Sequence, residues 1–443
     1  MFRRRPVAEE IENSPRVSQV QDSIAARWTL QRWHVWLLIA GLSLRIGFCL
    51  MTSNASALAE VDGREHHAYA QSLLALKWDD YPRYFNCIRP PLYPIFLTPF
   101  VALSDRYVWH IQFAQAILGV LQALIMGSIA GRWAGQRAGN WAFLIVLFHP
   151  FLIFYNAFLL TETLFITLLW AGIACLQRYS DSKSLRWLSA SAVALGLACL
   201  TRPSLQPFLV VAVVWIGWRT WRVSSSLLVL KRMTYFTMLV SAMLLPWMIG
   251  NLRAHGDFSL SPYCGARTYA LGNSPEYLGL YQAQTKDEYY RRLTHITSLI
   301  SVDAGKPTEQ WLAEVRVFRQ EQSSQWWSLQ WHKFKHFWTP WLNPLIFPRT
   351  TFLLSVLCAT PLFIFGAVEL VRRLYTRDAF SFLLLGLIAT GYLVGGLLFQ
   401  VQVRYRIPFV DMSFIVLTAS LLGGRRSENR DQRSEIRRQR SDR

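Results

Sequence analysis

A chain of 443 residues that is 52% hydrophobic, only 16% charged and holds 19 Trp is not a string of soluble domains. Apolar runs of about 20 residues match the thickness of a bilayer core and exceed what a soluble core helix needs, so the fold class is an all-α polytopic membrane protein. The net charge of +19 does not point to nucleic acid, because Arg and Lys gather in short stretches between the apolar runs and at both termini, the pattern of loops facing the cytoplasm.

Residues 1–32 read as a cytoplasmic N-terminal arm. No short apolar core with a small-residue cleavage site precedes the first apolar run, so that run, from Trp33, reads as a retained anchor. Hydropathy places ten spans at about 33–52, 107–130, 139–152, 157–177, 187–201, 205–219, 234–250, 350–371, 379–399 and 408–423. They divide the chain into a transmembrane module (33–250, with a first outer loop at 53–106), an outer-face segment (251–349), C-terminal spans (350–423) and a basic, disordered cytoplasmic tail (424–443). With the N-terminus inside, the loops holding Arg132/Arg137, Arg178/Lys183/Arg186, Arg219/Arg222/Lys231/Arg232 and Arg372/Arg373/Arg377 all fall inside, and an even span count returns the tail there.

In the outer-face segment, "TKDEYYRRLTHITSLI" and "PTEQWLAEVRVFRQEQ" read as amphipathic helices. "WWSLQWHKFKHFW" has the composition of a helix lying in the membrane interface. The chain shows no repeat of fixed period, no nucleotide-binding glycine loop and no metal signature.

Ionisable residues crowd the outer side. "EVDGREHHAYAQ" brings Glu60, Asp62, Glu65, His66 and His67 together just after the first span. Asp62 and Tyr69 are seven apart and fall near one helical face, whereas the adjacent His66 and His67 cannot point the same way, against a metal pair. Arg89 precedes a double proline that forces an extended entry to the membrane. Glu162 stands at the outer end of a span, where an ionisable residue is costly. Arg202, Arg253, Arg404 and Arg406 complete five arginines on the face that should be poor in them. Each alone reads as an interfacial arginine. Together they suit a phosphate headgroup, for which guanidinium forks are shaped.

These elements resemble the GT-C class of polytopic glycosyltransferases that use polyprenyl-phosphate sugars, in particular the protein mannosyltransferase and lipid A aminoarabinose transferase group. The likeness runs from about Trp33 to Leu422. An acid followed by Tyr in the first outer loop is matched by Asp62 and Tyr69; the basic-Pro-Pro-Leu-Tyr element is "RPPLYP"; a Ser/Thr-Glu span opening is "TETLF"; a Leu-Thr-Arg-Pro turn is "LTRPS"; and a late Arg-Tyr-x-x-Pro element is "RYRIP". "NLRAHGDFSLSPYCGARTYALGNSP", which contains Asn273, resembles the first outer segment after the seventh span of bacterial members. Many relatives carry two adjacent acids in the first loop, whereas here Gly63 follows Asp62 and the nearby acids are Glu60 and Glu65.

The resemblance implies a GT-C-like fold and a transferase with its site on the outer face of a bacterial plasma membrane. It would move a sugar from a polyprenyl-phosphate donor to a glycan, lipid or protein acceptor, with inversion and without metal or other cofactor. Asp62 is then the expected base and Glu162 orients acceptor or sugar. Glu60, Glu65, Tyr69, Arg89, Arg202, Arg253, Asn273, Arg404, Tyr405 and Arg406 are the expected substrate-binding residues. A transporter or flippase of a lipid-linked saccharide is the rival, and would place ionisable residues nearer mid-membrane and break its helices. Of six cysteines, Cys87 and Cys264 fall outside, where a disulfide is permitted; Cys49, Cys175, Cys199 and Cys358 read as packing residues within spans.

Overall fold

The computed structural model describes residues 28–52, 57, 61–76, 88–103, 106–221, 225–262, 264–302 and 306–424. The expected N-terminal arm up to residue 27, the tail from 425, and Glu60 and Cys87 lie outside these residues. All regular structure among the described residues is helical.

A helix occurs at each of the ten expected spans: α1 (Arg32–Met51), α4 (Tyr107–Ala134), the pair α5 (Gln136–Leu147) and α6 (Pro150–Asn156), α7 (Glu162–Ser182), α8 (Leu185–Thr201), α9 (Gln206–Trp221), α10 (Ser226–His255), α16 (Arg349–Tyr375), α17 (Ala379–Leu398) and α18 (Val403–Gly424). Six of these, α1, α4, α10, α16, α17 and α18, are long and apolar enough to cross a membrane, and a seventh if α5 and α6, bent by 50°, form one span. The count of ten is therefore not reached on length and composition. Helices α8 and α9, of 17 and 16 residues, fall short of the roughly 20 that a bilayer core requires. Helix α7 is long enough but ends in "QRYSDS", which dilutes its apolar character.

Two helices occupy the first loop, α2 (Val61–Leu74) and the apolar α3 (Leu92–Leu103). The second begins just after Pro90 and Pro91, where an imino ring costs a helix nothing because the first N–H groups have no partner anyway.

The bundle packs around α7, which buries both of its faces between α4 and α8 and contributes Phe165, Leu169, Trp170 and Ile173 to the main core. Trp170 donates its indole N–H to the Pro408 carbonyl (3.0 Å), fixing α18 against α7. Helix α4 lays Gln112, Gln115 and Gln122 along one face. Their amides donate to the carbonyls of Ala157 (2.8 Å), Asn156 (3.0 Å), Phe158 (2.8 Å) and Thr163 (2.9 Å). The turn joining α6 to α7 thus has its backbone acceptors satisfied inside the bundle, as burial requires.

The α5–α6 bend is closed by α1. Buried Arg45 donates to the carbonyls of Gly41 (3.2 Å), Val146 (3.2 Å) and Leu147 (2.5 Å) and to Asn156 Oδ1 (2.9 Å).

Residues 264–338 add α11 (Cys264–Gly272), α12 (Pro275–Gln282), α13 (Lys286–Val302), α14 (Thr308–Glu321) and α15 (Ser323–Trp338). The expected amphipathic helices are present, and they share a small core of Tyr277, Leu278, Leu280, Ile296, Phe318 and Leu329. Helix α15 turns Leu329, Lys333 and Phe337 inward at four-residue spacing and leaves Trp327, Trp331 and Phe334 exposed. Helices α17 and α18 each contain a π-helical stretch, Leu393–Leu398 and Ile407–Asp411, on either side of the short link that carries Arg404.

Candidate functional site

Helix α2 lies close against the turn before α7. A Cβ on Gly63 would come within 3.0 Å of the Leu159 carbonyl oxygen, and the Leu159 N–H donates to the Ala57 carbonyl (3.3 Å). The residue after Asp62 has to be small for this approach. Beyond it, Glu65, His66, Tyr69 and Leu73 form the buried face of α2.

Both oxygens of Asp62 are taken. Arg89 Nη2 donates to Oδ1 (2.6 Å) and Arg404 Nη1 to Oδ2 (2.7 Å), the latter pair separated by 342 residues in sequence. Arg89 also donates Nε to Glu65 Oε2 (2.6 Å). Its own position is set by the prolines after it and by Ile88 before it. The Ile88 N–H donates to the Pro262 carbonyl (3.2 Å), and Ser261 Oγ donates to the Ile88 carbonyl (2.7 Å). Two residues further on, Cys264 is disulfide-bonded, while Cys49, Cys175, Cys199 and Cys358 are free.

Alongside, Arg202 Nη2 donates to Glu162 Oε1 (2.9 Å). Arg202 closes α8 in extended backbone just before Pro203, which directs its side chain off the helix end. The Tyr405 ring lies between the two arginines, 5.4 Å from the Arg202 guanidinium and 5.3 Å from that of Arg404.

Burial alone would raise the Asp62 carboxyl, but the Arg89 and Arg404 guanidinium groups outweigh it and hold the group well below the usual carboxylate range. Burial lifts Glu65, against the opposing pull of Arg89. Arg89 keeps its charge more firmly than usual, since Asp62 and Glu65 overcome the cost of burying it. His66 is pushed down to about 3, by burial first and then by Arg89, so its imidazole is neutral. Two buried acceptor-capable atoms in this cluster, His66 Nδ1 and Glu162 Oε2, have no hydrogen-bond partner.

The expected site residues divide into two sets. Asp62, Glu65, Arg89, Glu162, Arg202, Arg404 and Tyr405 come together, and Tyr69 is buried one turn beyond His66 on the same helix. Glu60 lies outside the described residues. Arg253 is exposed in the last turn of α10 and, among the described residues, joins no ion pair with the cluster.

Arg406, two residues from Arg404, turns the other way. It donates to Asp411 Oδ1 (2.8 Å) and Oδ2 (3.3 Å) and to the carbonyls of Phe337 (3.4 Å), Thr339 and Pro340 (2.9 Å). Asn273 is engaged internally as well. Its amide donates to the Tyr269 and Leu398 carbonyls (both 2.9 Å), and its oxygen accepts from Lys333 Nζ (3.1 Å) and Gln330 Nε2 (3.2 Å). Lys333 is fully buried, donates also to the carbonyls of Gly272 (3.2 Å) and Leu397 (2.7 Å), and is pushed down to about 7 by that burial.

Sequence reasoning weighed His66 only as half of a metal pair and not as a neighbour of Asp62 one helical turn away on the same face, and it passed over Tyr93, whose ring meets His66 edge-on at 5.0 Å and whose hydroxyl donates to Gln115 Oε1 (2.9 Å). It also missed buried Arg267, whose charge is felt by Glu65. The four-residue step from Asp62 to His66 was the available signal. Among the described residues, no set of three His, Cys, Asp or Glu side chains is grouped to hold a metal ion.

The sequence profile of dolichyl-phosphate-mannose-protein mannosyltransferases matches residues 88–249, a stretch that contains Arg89, Glu162 and Arg202. A comparison with curated protein sequences finds no match. Among solved structures, the oligosaccharyltransferase of Archaeoglobus fulgidus in its apo form aligns at a TM-score of 0.55 and 13% identity, over 92% of this chain and 52% of its own. ArnT from Cupriavidus metallidurans bound to undecaprenyl phosphate aligns at 0.40 and 15% identity, over 88% of this chain and 78% of its own. The first of these likenesses fixes the fold, and the chain spans about half the length of that oligosaccharyltransferase. The chain is a polytopic helical membrane protein with a GT-C-like fold. Within that class its sequence resembles the mannosyltransferase group over 88–249.

Proposed function

We propose that the chain is a membrane glycosyltransferase that takes a sugar from a polyprenyl-phosphate donor and passes it to an acceptor hydroxyl or amine on the outer side of the membrane. The observation that carries this reading is the double clamp on Asp62 by Arg89 and Arg404. Two guanidinium forks on one carboxylate form a ready site for a phosphate, which offers more oxygens and competes for the same donors.

Arrival of the donor phosphate draws Arg89 and Arg404 from Asp62. The carboxylate then loses the charges that depress it and becomes a base for the acceptor proton. The same arginines neutralise the phosphate as it departs, so the leaving group needs no strong acid. One displacement by the acceptor inverts the anomeric centre, and the arginines supply the charge stabilisation a metal would otherwise give. Glu162, held through one oxygen by Arg202, keeps the other for substrate.

A transporter of lipid-linked saccharides would also want ionisable groups within the bundle, and Arg45 at the α5–α6 bend is such a group. Its guanidinium is, however, committed to backbone carbonyls and Asn156, which makes it a brace. The test is binding of undecaprenyl phosphate to the purified protein in lipid nanodiscs. The wild type should bind it and the Arg89→Ala/Arg404→Ala double variant should not; equal binding by both would remove the phosphate site.

A further inference from the structure

Helices α11 and α17 end against each other. The last residue of α11 is Gly272, and a Cβ there would come within 2.6 Å of the Gln400 nitrogen and 2.7 Å of the Phe399 carbonyl carbon. Only a residue without a side chain lets the two backbones lie so near. The final carbonyls of a helix have no partner within it and carry the negative end of its dipole. Here one side chain serves both ends. Lys333 of α15, 0% exposed, donates from Nζ to the Gly272 carbonyl (3.2 Å), the Leu397 carbonyl (2.7 Å) and Asn273 Oδ1 (3.1 Å), so each of its three protons has an acceptor. Asn273 completes the joint by donating to the Leu398 carbonyl (2.9 Å). The neighbours of Lys333 on the inward face of α15, Leu329 and Phe337, are apolar, and a buried ammonium is costly. A charge at this position has a task beyond packing.

What the joint holds is the link from α17 into α18. Past Leu398, the Phe399 N–H donates back to the Val394 carbonyl (3.1 Å), and the Val401 N–H donates to the Tyr281 hydroxyl of α12 (3.2 Å). Gln402 Oε1 then accepts from Arg404 Nε (2.5 Å), and Arg404 Nη1 reaches Asp62. The contacts run without a break from the ammonium to the helix end, the link, Gln402 and the guanidinium.

Building on the glycosyltransferase reading, we propose that Lys333 is a positioning residue for the donor phosphate: by joining the ends of α11 and α17 it fixes the link from which Arg404 is presented to the site. Lys333 acts through Arg404 and touches no substrate. Through it, the helical layer of residues 264–338 sets the reach of a guanidinium on α18.

Lys333→Met keeps the length of the side chain and removes its donors, and two measurements in nanodiscs test the proposal. In hydrogen exchange followed by mass spectrometry, peptides covering residues 399–405 should exchange about tenfold faster than in the wild type, with peptides from α4 and α7 unchanged. Undecaprenyl phosphate affinity should fall about tenfold in the wild-type background but by less than about twofold in Arg404→Ala, because residues acting as one unit are not additive. Gly272→Ala pushes on the link through the main chain and leaves the Lys333 donors in place. It should reproduce both results, and it carries the test should Lys333→Met fail to fold. Unchanged exchange at the link overturns the proposal. So does an affinity that is unaffected, or that is lost equally in both backgrounds, the mark of general destabilisation. If the wild type does not bind undecaprenyl phosphate, the donor reading falls, and the exchange measurement still decides whether Lys333 holds the link.

Discussion

Arg404 and Arg406 are two residues apart in "VRYRIP", yet they face opposite surroundings. Arg406 is sealed, its donors shared among Asp411 and the carbonyls that end α15. Arg404 reaches α2, where it shares one carboxylate with Arg89 beside two atoms that have no partner at all. A closed set of donors and acceptors holds a fold together. A carboxylate shared by two arginines, with unmet acceptors beside it, leaves donors for which a ligand can compete, as the proposed function requires. The difference lies in what surrounds the guanidinium, since residue type and motif are the same.

The sharpest way to break the comparison is Arg406→Ala. It leaves Asp411 charged and buried without its partner, a loss of about 3–5 kcal/mol. Thermal unfolding in detergent should show a large fall in midpoint, whereas Arg404→Ala should unfold close to the wild type. Equal falls would mean that both arginines are structural.

Next in size is Asp62→Asn. Removing a positioned base lowers rates by about 10²–10⁴-fold. Transfer from a polyprenyl-phosphate sugar to acceptor in membranes should drop within that range, with undecaprenyl phosphate still bound. Near-normal turnover would move the base to Glu65 or Glu162.

A smaller effect is expected from Arg404→Ala on undecaprenyl phosphate binding. One charge-assisted contact is worth about 1.5–3 kcal/mol, and Arg404→Lys should recover only part of it because the fork is lost. Titration of both variants beside Arg406→Lys would show whether the loss is confined to the open arginine.

The smallest effect concerns acid. His66 is held at about 3, below its ordinary value near 6.5, so the folded state binds fewer protons there than the unfolded chain. Its contribution to stability is full above pH 6.5 and declines as pH falls toward 3, by at most about 1.4 kcal/mol per unit. The unfolding midpoint of the wild type should therefore fall more steeply between pH 6.5 and 5 than that of His66→Phe. Parallel curves would place the acid sensitivity elsewhere.

Much of this architecture was legible because lipid imposes a local rule. A run of apolar residues declares a span without reference to the rest of the chain, and helices occur at all ten expected positions. The rule is weaker at edges and around proline. Helix α10 begins at Ser226, before the expected 234, because a helix continues through Lys231 and Arg232 where a hydropathy reading stops. Helix α3 was hidden by Pro90, Pro91, Pro94 and Pro99, which read as loop but open and line an apolar helix. That Asp62, Arg89, Glu162, Arg202 and Arg404 stand out as candidates was legible because charge at the end of a span is costly, and the structure brings them together. The separate fates of Arg404 and Arg406 were not legible, since the carbonyls that occupy Arg406 are 66 to 69 residues away. Cys264 is disulfide-bonded, which the sequence left open between a bridge and free thiols, and Cys87, the other outer cysteine, is outside the described residues.

The brace at Arg45 has a consequence for biogenesis. Helix α1 is synthesised before α5 and would carry a lone guanidinium into the bilayer, at a cost of up to about 3 kcal/mol near a helix centre. The carbonyls that relieve it belong to α5, which emerges roughly a hundred residues later. Until then α1 is a reluctant insert, best kept shallow or sheltered by the insertion machinery. The contacts that satisfy Arg45 therefore become available only once α5 has been made, which ties the settling of α1 to that of α5.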